Sequence, residues 1–327
     1  MGYLTKYGTV WGQIPRTCGA VYFVAPSASY TVDGKAYSAS DGNDGLSPER
    51  ALLTVAQAIA LSTANVGDTI VLLPGTHTAT TALAPKAGTK IVGTPFFPEE
   101  TTVVPTGSRL RHRPQAILTQ STAATVTIAC TVADFTLSNV CLRPITQAAA
   151  MTFTTACDRL VVRDCMIDMK TPVGHANTKG VIASGATQAP DGVSILNNLF
   201  LEGNGGTSCG VALEVGASVN FLVAGNTFQS DGTVASHATW TTAVQAQDNC
   251  QGVFMSNLVN GGGATITNGF RGVTHTGAGI VQFVSNLFSV AVTNPITAWA
   301  AADVGLLNNY VATVSGGTGG TLVSVST

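Results

Sequence analysis

The 327-residue chain is poor in charge: Asp, Glu, Lys and Arg make up 10% of it, and the formal net charge is −2. Ordinary domains carry roughly a quarter charged residues. Disorder pairs low hydrophobicity with high charge; here charge is scarce and 45% of residues are hydrophobic. The surface must be built largely from Thr, Ser, Asn, Gln, Ala and Gly. No long basic run exists, and the densest basic stretch is Arg109, Arg111, His112 and Arg113. Phosphate-directed binding needs clustered Lys and Arg, so that stretch reads as a solvated or interface loop and nucleic acid is not an expected partner. No stretch of about 18 apolar residues is present, so no membrane span is expected. The opening MGYLTKYGTVWGQIP lacks an apolar run of signal-peptide length.

Seven cysteines occur, Cys18, Cys130, Cys141, Cys157, Cys165, Cys209 and Cys250, with no C-x-x-C pair. A zinc site is therefore not expected. Most have apolar or β-branched neighbours, where cysteine behaves as a small hydrophobe. They read as reduced core residues of a protein made in a reducing compartment.

What is present is a repeat. The phrases FTLSNVCL (135–142), LVVRDCMI (160–167), SILNNLFL (194–201), FLVAGNTF (221–228), VFMSNLVN (253–260), QFVSNLFS (282–289) and GLLNNYVA (305–312) share one pattern. Each is an alternating apolar segment broken by a polar residue. Aligned on that residue they give Asn139, Asp164, Asn198, Asn226, Asn257, Asn286 and Asn309, at spacings of 25, 34, 28, 31, 29 and 23 residues. A weaker phrase precedes each: TVTIAC, AMTFTT, GVIASG, GVALEV, TAVQAQ, GVTHTG and ITAWAA. Two or three short strands per repeat amount to one turn of a β-solenoid. One turn cannot bury its own apolar face, so turns must stack. Parallel neighbours lie about 4.8 Å apart, close enough for equivalent Asn side chains to bond coil to coil. Asn also tolerates the left-handed backbone of a sharp bend. The Asn column is thus expected to be a structural ladder. The fold class expected is all-β, a parallel β-helix forming one domain over residues 26–327, after an N-terminal arm over 1–25.

The entry to the coils differs. Residues 48–66 read as a helix of about 48–65, with Ser47 as cap, Pro48 at the first position and Glu49 facing the dipole. Its apolar stripe is Leu52, Val55, Ala56, Ile59 and Ala60. Lying over the first coil, it would cover an open sheet edge. GDTIVLLPGTHT (67–78) and TKIVGTPF (89–96) read as the first strands.

The stretch from 38 to 78 resembles the entry segment of pectate-lyase-like right-handed β-helix proteins. The residues that carry the likeness are Asp41, Asn43, Asp44, Gly45, Gly67, Asp68, Thr69, Ile70, Pro74, Gly75 and Thr76. With the coils it spans roughly residues 20–327. It implies the right-handed form of the fold and leaves function open, since that superfamily includes pectate lyases, polysaccharide hydrolases, bacteriophage tailspikes and non-catalytic virion proteins.

Calcium-assisted lyase chemistry, glycoside hydrolysis and sugar stacking are natural on such a scaffold. Calcium needs six to eight oxygen ligands. The Asp41–Asn43–Asp44–Gly45 turn is only slightly similar to a calcium loop and lacks its bidentate Glu, so it reads as a turn before the helix; neither a metal nor another cofactor is expected. Glycoside hydrolysis needs paired carboxylates. Arg143, Asp168 and Glu202 each lie four residues after Asn139, Asp164 and Asn198, so they could form one column, walled by Lys170 and His175. Against that stands an exposed ion ladder, worth at most about 1 kcal/mol. Glu214 and Asp231 stand alone. The histidines His77, His112, His175, His237 and His275 share no pattern and read as turn or surface residues. Trp240 and Trp299 are candidate sugar platforms, weighed against core or interface packing. The arm carries Tyr3, Tyr7 and Trp11, an aromatic set suited to binding a partner.

The reading preferred is a structural, non-catalytic bacteriophage surface protein: a capsid decoration or short spike, homotrimeric, located on the virion and held to other virion proteins through the arm. A polysaccharide lyase, hydrolase or tailspike depolymerase using Asp168, Glu202 and Arg143 is the second reading. A non-catalytic adhesin that binds a host-surface glycan is the third.

Overall fold

The computed structural model describes residues 19–32, 34–94, 114–122, 125–144, 149–169, 179–183, 187–201, 210–229, 241–247, 249–261, 266–272, 279–289, 292–297, 304–311 and 321–322. The chain is a right-handed parallel β-helix. Among the described residues three sheets run along it, with ten, ten and seven strands, and neighbours in a sheet come from successive coils, save Thr321–Leu322, which ends sheet 2 antiparallel to Tyr310–Val311. Sheet 1 starts at Val21–Val24 and ends at Val304–Leu307; sheet 2 starts at Gly75–Ala79; sheet 3 starts at Ile128–Cys130 and ends at Val292–Thr297.

Each of the seven strong phrases is two strands folded at a corner. FTLSNVCL supplies Thr136–Ser138 to sheet 1 and Cys141–Arg143 to sheet 2. The corner residue is left-handed throughout: Asn139, Asp164, Asn197, Gly225, Ser256, Ser285 and Asn308, at φ between 52° and 68°. Such φ values strain most side chains, and Asn, Asp and Gly tolerate them best. A second left-handed column precedes sheet 1, formed by Gly67, Gly88, Asp134, Arg159, Gly192 and Asn220. Each stands two residues before the register position shared by Thr69, Lys90, Thr136, Val161, Ser194 and Leu222.

Inward residues stack coil on coil. Phe200 lies on Phe228 with centroids 4.7 Å apart, and Phe254 lies on Phe283 and on Phe270 at 5.1 Å each. Identical neighbours every coil let flat rings offset-stack, adding about 0.5–1.5 kcal/mol per pair to the burial itself.

The N-terminal end departs from the expected boundaries. Val21–Val24, assigned above to the arm, is a sheet 1 strand paired with Thr69–Leu72. Pro48–Arg50 is a 3-10 turn, and Ser47 makes no side-chain cap. The helix, α1, spans only Val55–Leu61, and Thr54 caps it by accepting the Gln57 N–H at 3.1 Å. Leu52 breaks the longer helix because it bridges Val24 as a strand residue. Val55, Ala58 and Ile59 are buried over the first coil, while Ala56 and Ala60 face outward. The antiparallel hairpin Ser29–Val32 and Lys35–Ser38 covers the outer face of the first coils, where Tyr30 joins Phe23, Val71 and Leu73 in a separate apolar cluster. The last two weak phrases are also displaced: sheet 3 takes Ile266–Gly272 and Val292–Thr297, ahead of or overlapping their starts.

Candidate functional site

The Asn column is the most regular polar feature. Asn198, Asn226, Asn257, Asn286 and Asn309 are buried and stack in order. Each Oδ1 accepts the backbone N–H of the coil before it, from Cys165, Asn198, Asn226, Asn257 and Asn286, at 2.9–3.1 Å. Each Nδ2 donates to a main-chain carbonyl of the preceding coil, those of Val162, Ile195, Val223, Phe254 and Phe283. The amide exactly suits a corner where sheet hydrogen bonds lapse, because it offers an acceptor and donors at once. Asn139 and Asp164 do not belong to this column. They occupy the left-handed position one residue earlier, and Val140 and Cys165 fill the ladder positions. Asn139 instead donates its Nδ2 to the Gly93 carbonyl at 3.0 Å. The Ser-Asn of 138–139 reads like the Ser-Asn of 256–257, but Ser138 is in register with Arg163, Leu196, Ala224 and Met255.

That one-residue slip also redraws the acidic column. Arg143 pairs in register with Thr119, and Asp168 pairs with Leu201 rather than with Glu202. The outer column beyond Leu201 continues through Gln229 and Asn260. Glu202, like Lys170 and His175, lies outside the described residues. Arg143 does meet Asp168: its Nε and one terminal nitrogen lie 3.1 and 2.9 Å from the same carboxylate oxygen, Oδ2. This is not an exposed ladder, for the Asp168 side chain is 5% exposed and that of Arg143 26%. The Arg143 carbonyl in turn accepts the Thr119 hydroxyl at 2.8 Å.

The other acidic side chains near the entry are committed to the backbone. Asp41 accepts the Leu53 and Thr54 N–H groups and the Thr54 hydroxyl. Asp44 accepts the Leu46 N–H and meets Arg50 at 3.1 Å. Asn43 donates to the Ser38 and Ala51 carbonyls. Asp68, from the GDTI phrase, is buried and takes the Ala20 and Thr63 N–H groups at 2.6 Å each. It ties the first strand to the segment after α1, a link that nothing in the GDTI phrase itself signals. Glu214 accepts the Gln247 side-chain amide at 3.0 Å. Among the described residues no group of three His, Cys, Asp or Glu side chains could hold a metal ion, and no helix is long and apolar enough to cross a membrane.

His77 is neither a turn nor a surface residue. It points inward from the strand Gly75–Ala79, with Nε2 2.7 Å from the Leu73 carbonyl. Burial lowers its pKa, and the Leu73 contact only partly opposes this. Cys130, Cys141, Cys157, Cys165 and Cys250 are buried; burial pushes the Cys165 thiol up to about 12. Cys18, Cys209, Asp231, Trp240, Trp299, Tyr3, Tyr7, Trp11, the Arg109–Arg113 stretch and His112, His237 and His275 lie outside the described residues.

The outer face of sheet 1 changes character along the axis. Near the start it is covered by the hairpin. From the sixth strand on, one outward column reads Leu196, Ala224, Met255, Val284 and Leu307, in register coil to coil. Beside it, Leu222 and Val253 are neighbours. Met255 is 39% exposed and Leu307 56%. On sheet 2 the outward column Leu258, Leu287 and Tyr310 continues the apolar surface.

No family model matches the chain, and no curated protein matches it. Solved structures do. A pectin methylesterase mutant in complex with a hexasaccharide is 15% identical, with 92% of each chain covered and a TM-score of 0.52. Pectin methylesterase PemA from Erwinia chrysanthemi is 14% identical over 93% of this chain and 92% of that one, at a TM-score of 0.47. A rhamnogalacturonan lyase is 11% identical over 90% and 74%, at 0.40. The first of these likenesses, spanning nearly the whole of both chains, is one of fold, and the fold is a right-handed parallel β-helix.

Proposed function

We propose that the chain is a structural β-helix protein of a bacteriophage particle surface, a homotrimer without catalytic activity. The observation that carries this reading is the uncharged apolar surface formed by Leu196, Ala224, Met255, Val284 and Leu307. Contiguous exposed apolar columns mark interaction surfaces. Their residues repeat at the strand spacing of about 4.8 Å, a period that a second copy lying alongside would share. The Arg143–Asp168 contact supports the non-catalytic part, since the carboxylate is held by a cation and its next neighbour in register is Leu201. The setting on a phage particle rests on the resemblance of the sequence to the pectate-lyase-like superfamily, which includes virion proteins. In this reading the arm with Tyr3, Tyr7 and Trp11 attaches the trimer to other virion proteins.

Sedimentation equilibrium of the full chain tests the assembly. A trimer is expected, and Met255→Lys with Leu307→Lys should return it to monomer without loss of β-sheet circular dichroism. A wild-type monomer overturns the oligomeric reading. Quantitative mass spectrometry of purified particles tests the location: copy numbers comparable to the major capsid protein are expected of a decoration. Removal of residues 1–18 should abolish particle binding while the β-helix stays folded. Release of oligosaccharides from a bacterial or plant polysaccharide, lost in Asp168→Asn with Glu202→Gln, would replace this reading with the enzymatic one. Glycan binding without cleavage would favour the adhesin.

A further inference from the structure

The helix α1 has no charged face. From Ala51 to Gly67 the chain carries no Asp, Glu, Lys or Arg. One side of α1 packs on the first coil through Val55, Ala58 and Ile59. The other side is apolar too: Leu53, Ala56, Ala60 and Leu61 are exposed, Leu61 at 40%, and just past the helix Val66 is 43% exposed. Gln57 is the sole polar side chain of α1. A surface helix turns polar or charged residues outward, whereas a helix that is apolar all round has a neighbour on both sides. The polar groups at its ends are already engaged. The Thr54 hydroxyl oxygen accepts the Gln57 N–H, and the Lys86 ammonium donates to the Ala60 and Ser62 carbonyls. The chain enters beside this face. One oxygen of Asp68 accepts the Ala20 N–H and the other the Thr63 N–H, so a single carboxylate joins the start of the first strand to the end of α1. The Tyr22 hydroxyl donates to the Leu61 carbonyl at 3.2 Å.

We propose that in the free chain the arm, residues 1–18, docks on the outer face of α1 and covers Leu53, Ala56, Ala60 and Leu61 of the same molecule. Chemistry and reach both select this occupant. The arm carries Leu4, Tyr7, Val10, Trp11 and Ile14, apolar side chains that match an uncharged face. It joins the fold at Gly19, next to Ala20, which Asp68 holds beside Thr63. The stretch from Ile14 to Cys18 can span about 16 Å when extended, more than the roughly 10 Å length of α1. A tethered segment also meets its site at an effective concentration in roughly the millimolar range, which a second chain arriving from solution does not match. Partner binding by Tyr3, Tyr7 and Trp11 would then begin from an arm already laid along the end of the β-helix.

Two measurements on the full chain test this. In the first, the photoreactive residue p-benzoylphenylalanine replaces Ala60, the protein is irradiated, and the cross-linked peptides are mapped. A link from position 60 to residues 1–18 within one chain is expected. A link that joins two chains, or none to residues 1–18, overturns the proposal. The second is limited trypsin digestion, since the arm offers Lys6 and Arg16. Cleavage follows the fraction of molecules whose arm is undocked, so Ala60→Glu, which sets a charge under the arm, should speed cleavage after Arg16 about tenfold. Ala60 is exposed, and the β-sheet circular dichroism should not change. Equal cleavage rates in the wild type and the folded variant overturn the proposal. Should Ala60→Glu lose its sheet signal, Ala56→Glu, one turn earlier on the same face, takes its place with the same two outcomes.

Discussion

Asn198 and Asn226 share a single oxygen: Oδ1 of Asn226 accepts the Asn198 backbone N–H at 2.9 Å and the Asn198 Nδ2 at 3.0 Å. The same relation joins Asn226 to Asn257, Asn257 to Asn286, and Asn286 to Asn309. Each amide therefore serves the main chain of one coil and the side chain of the next, in a site closed to water.

Removal of a middle rung should be costly. Asn226→Ala strips an acceptor from the Asn198 N–H and a donor from the Ile195 carbonyl, leaving buried groups unpaired at about 1–3 kcal/mol each. A loss of about 3 kcal/mol in urea unfolding is expected. Asn139→Gly keeps the left-handed corner and loses only the bond to Gly93, so it should cost about 1 kcal/mol or less.

The Arg143–Asp168 pair gives an asymmetric prediction. Breaking a buried ion pair costs about 3–5 kcal/mol, mostly through the charge left behind. Asp168 is the deeper partner, so Arg143→Met should destabilise more than Asp168→Asn, which keeps an acceptor for the guanidinium. Equal midpoints for the two variants in chemical denaturation would show that the pair is solvent-screened.

His77 sets a pH dependence. Its folded pKa lies below 6.5 because burial disfavours the charged ring. Between the folded and unfolded values the unfolded chain binds more protons, so stability falls as pH drops below about 6.5. The loss continues down to the folded pKa. His77→Gln retains a donor for the Leu73 carbonyl and does not titrate. The wild type should lose stability relative to this variant between about pH 7 and 5, read as the difference in urea midpoints.

Asp68 holds the entry. Asp68→Ala leaves the Ala20 and Thr63 N–H groups without their acceptor, a loss of about 2–4 kcal/mol on the same unpaired-group scale. Hydrogen exchange should rise first in Val21–Val24 and α1, the elements this carboxylate joins, and leave the later coils protected.

The repeat and its strand content were readable in the sequence because stacked coils impose the same apolar alternation on every turn. The entry phrase likewise announced the capped start, and the side chains of Asp41 and Asp68 are used there as backbone acceptors. The phase of the ladder was not readable. Ser-Asn can place its Asn at the left-handed corner, as at 139, or at the rung after it, as at 257, and both positions favour that residue. Only pairing between coils resolves the choice, and it sets Leu201, not Glu202, opposite Asp168. The second left-handed column was hidden for the reverse reason: Gly, Asp, Arg and Asn all occupy it, so no residue type repeats. The fate of His77 was decided by tertiary structure as well, since it depends on which face a short strand turns inward and on what the neighbouring coil places opposite. Local alternation determined that this chain coils; the register between coils determined which side chains meet.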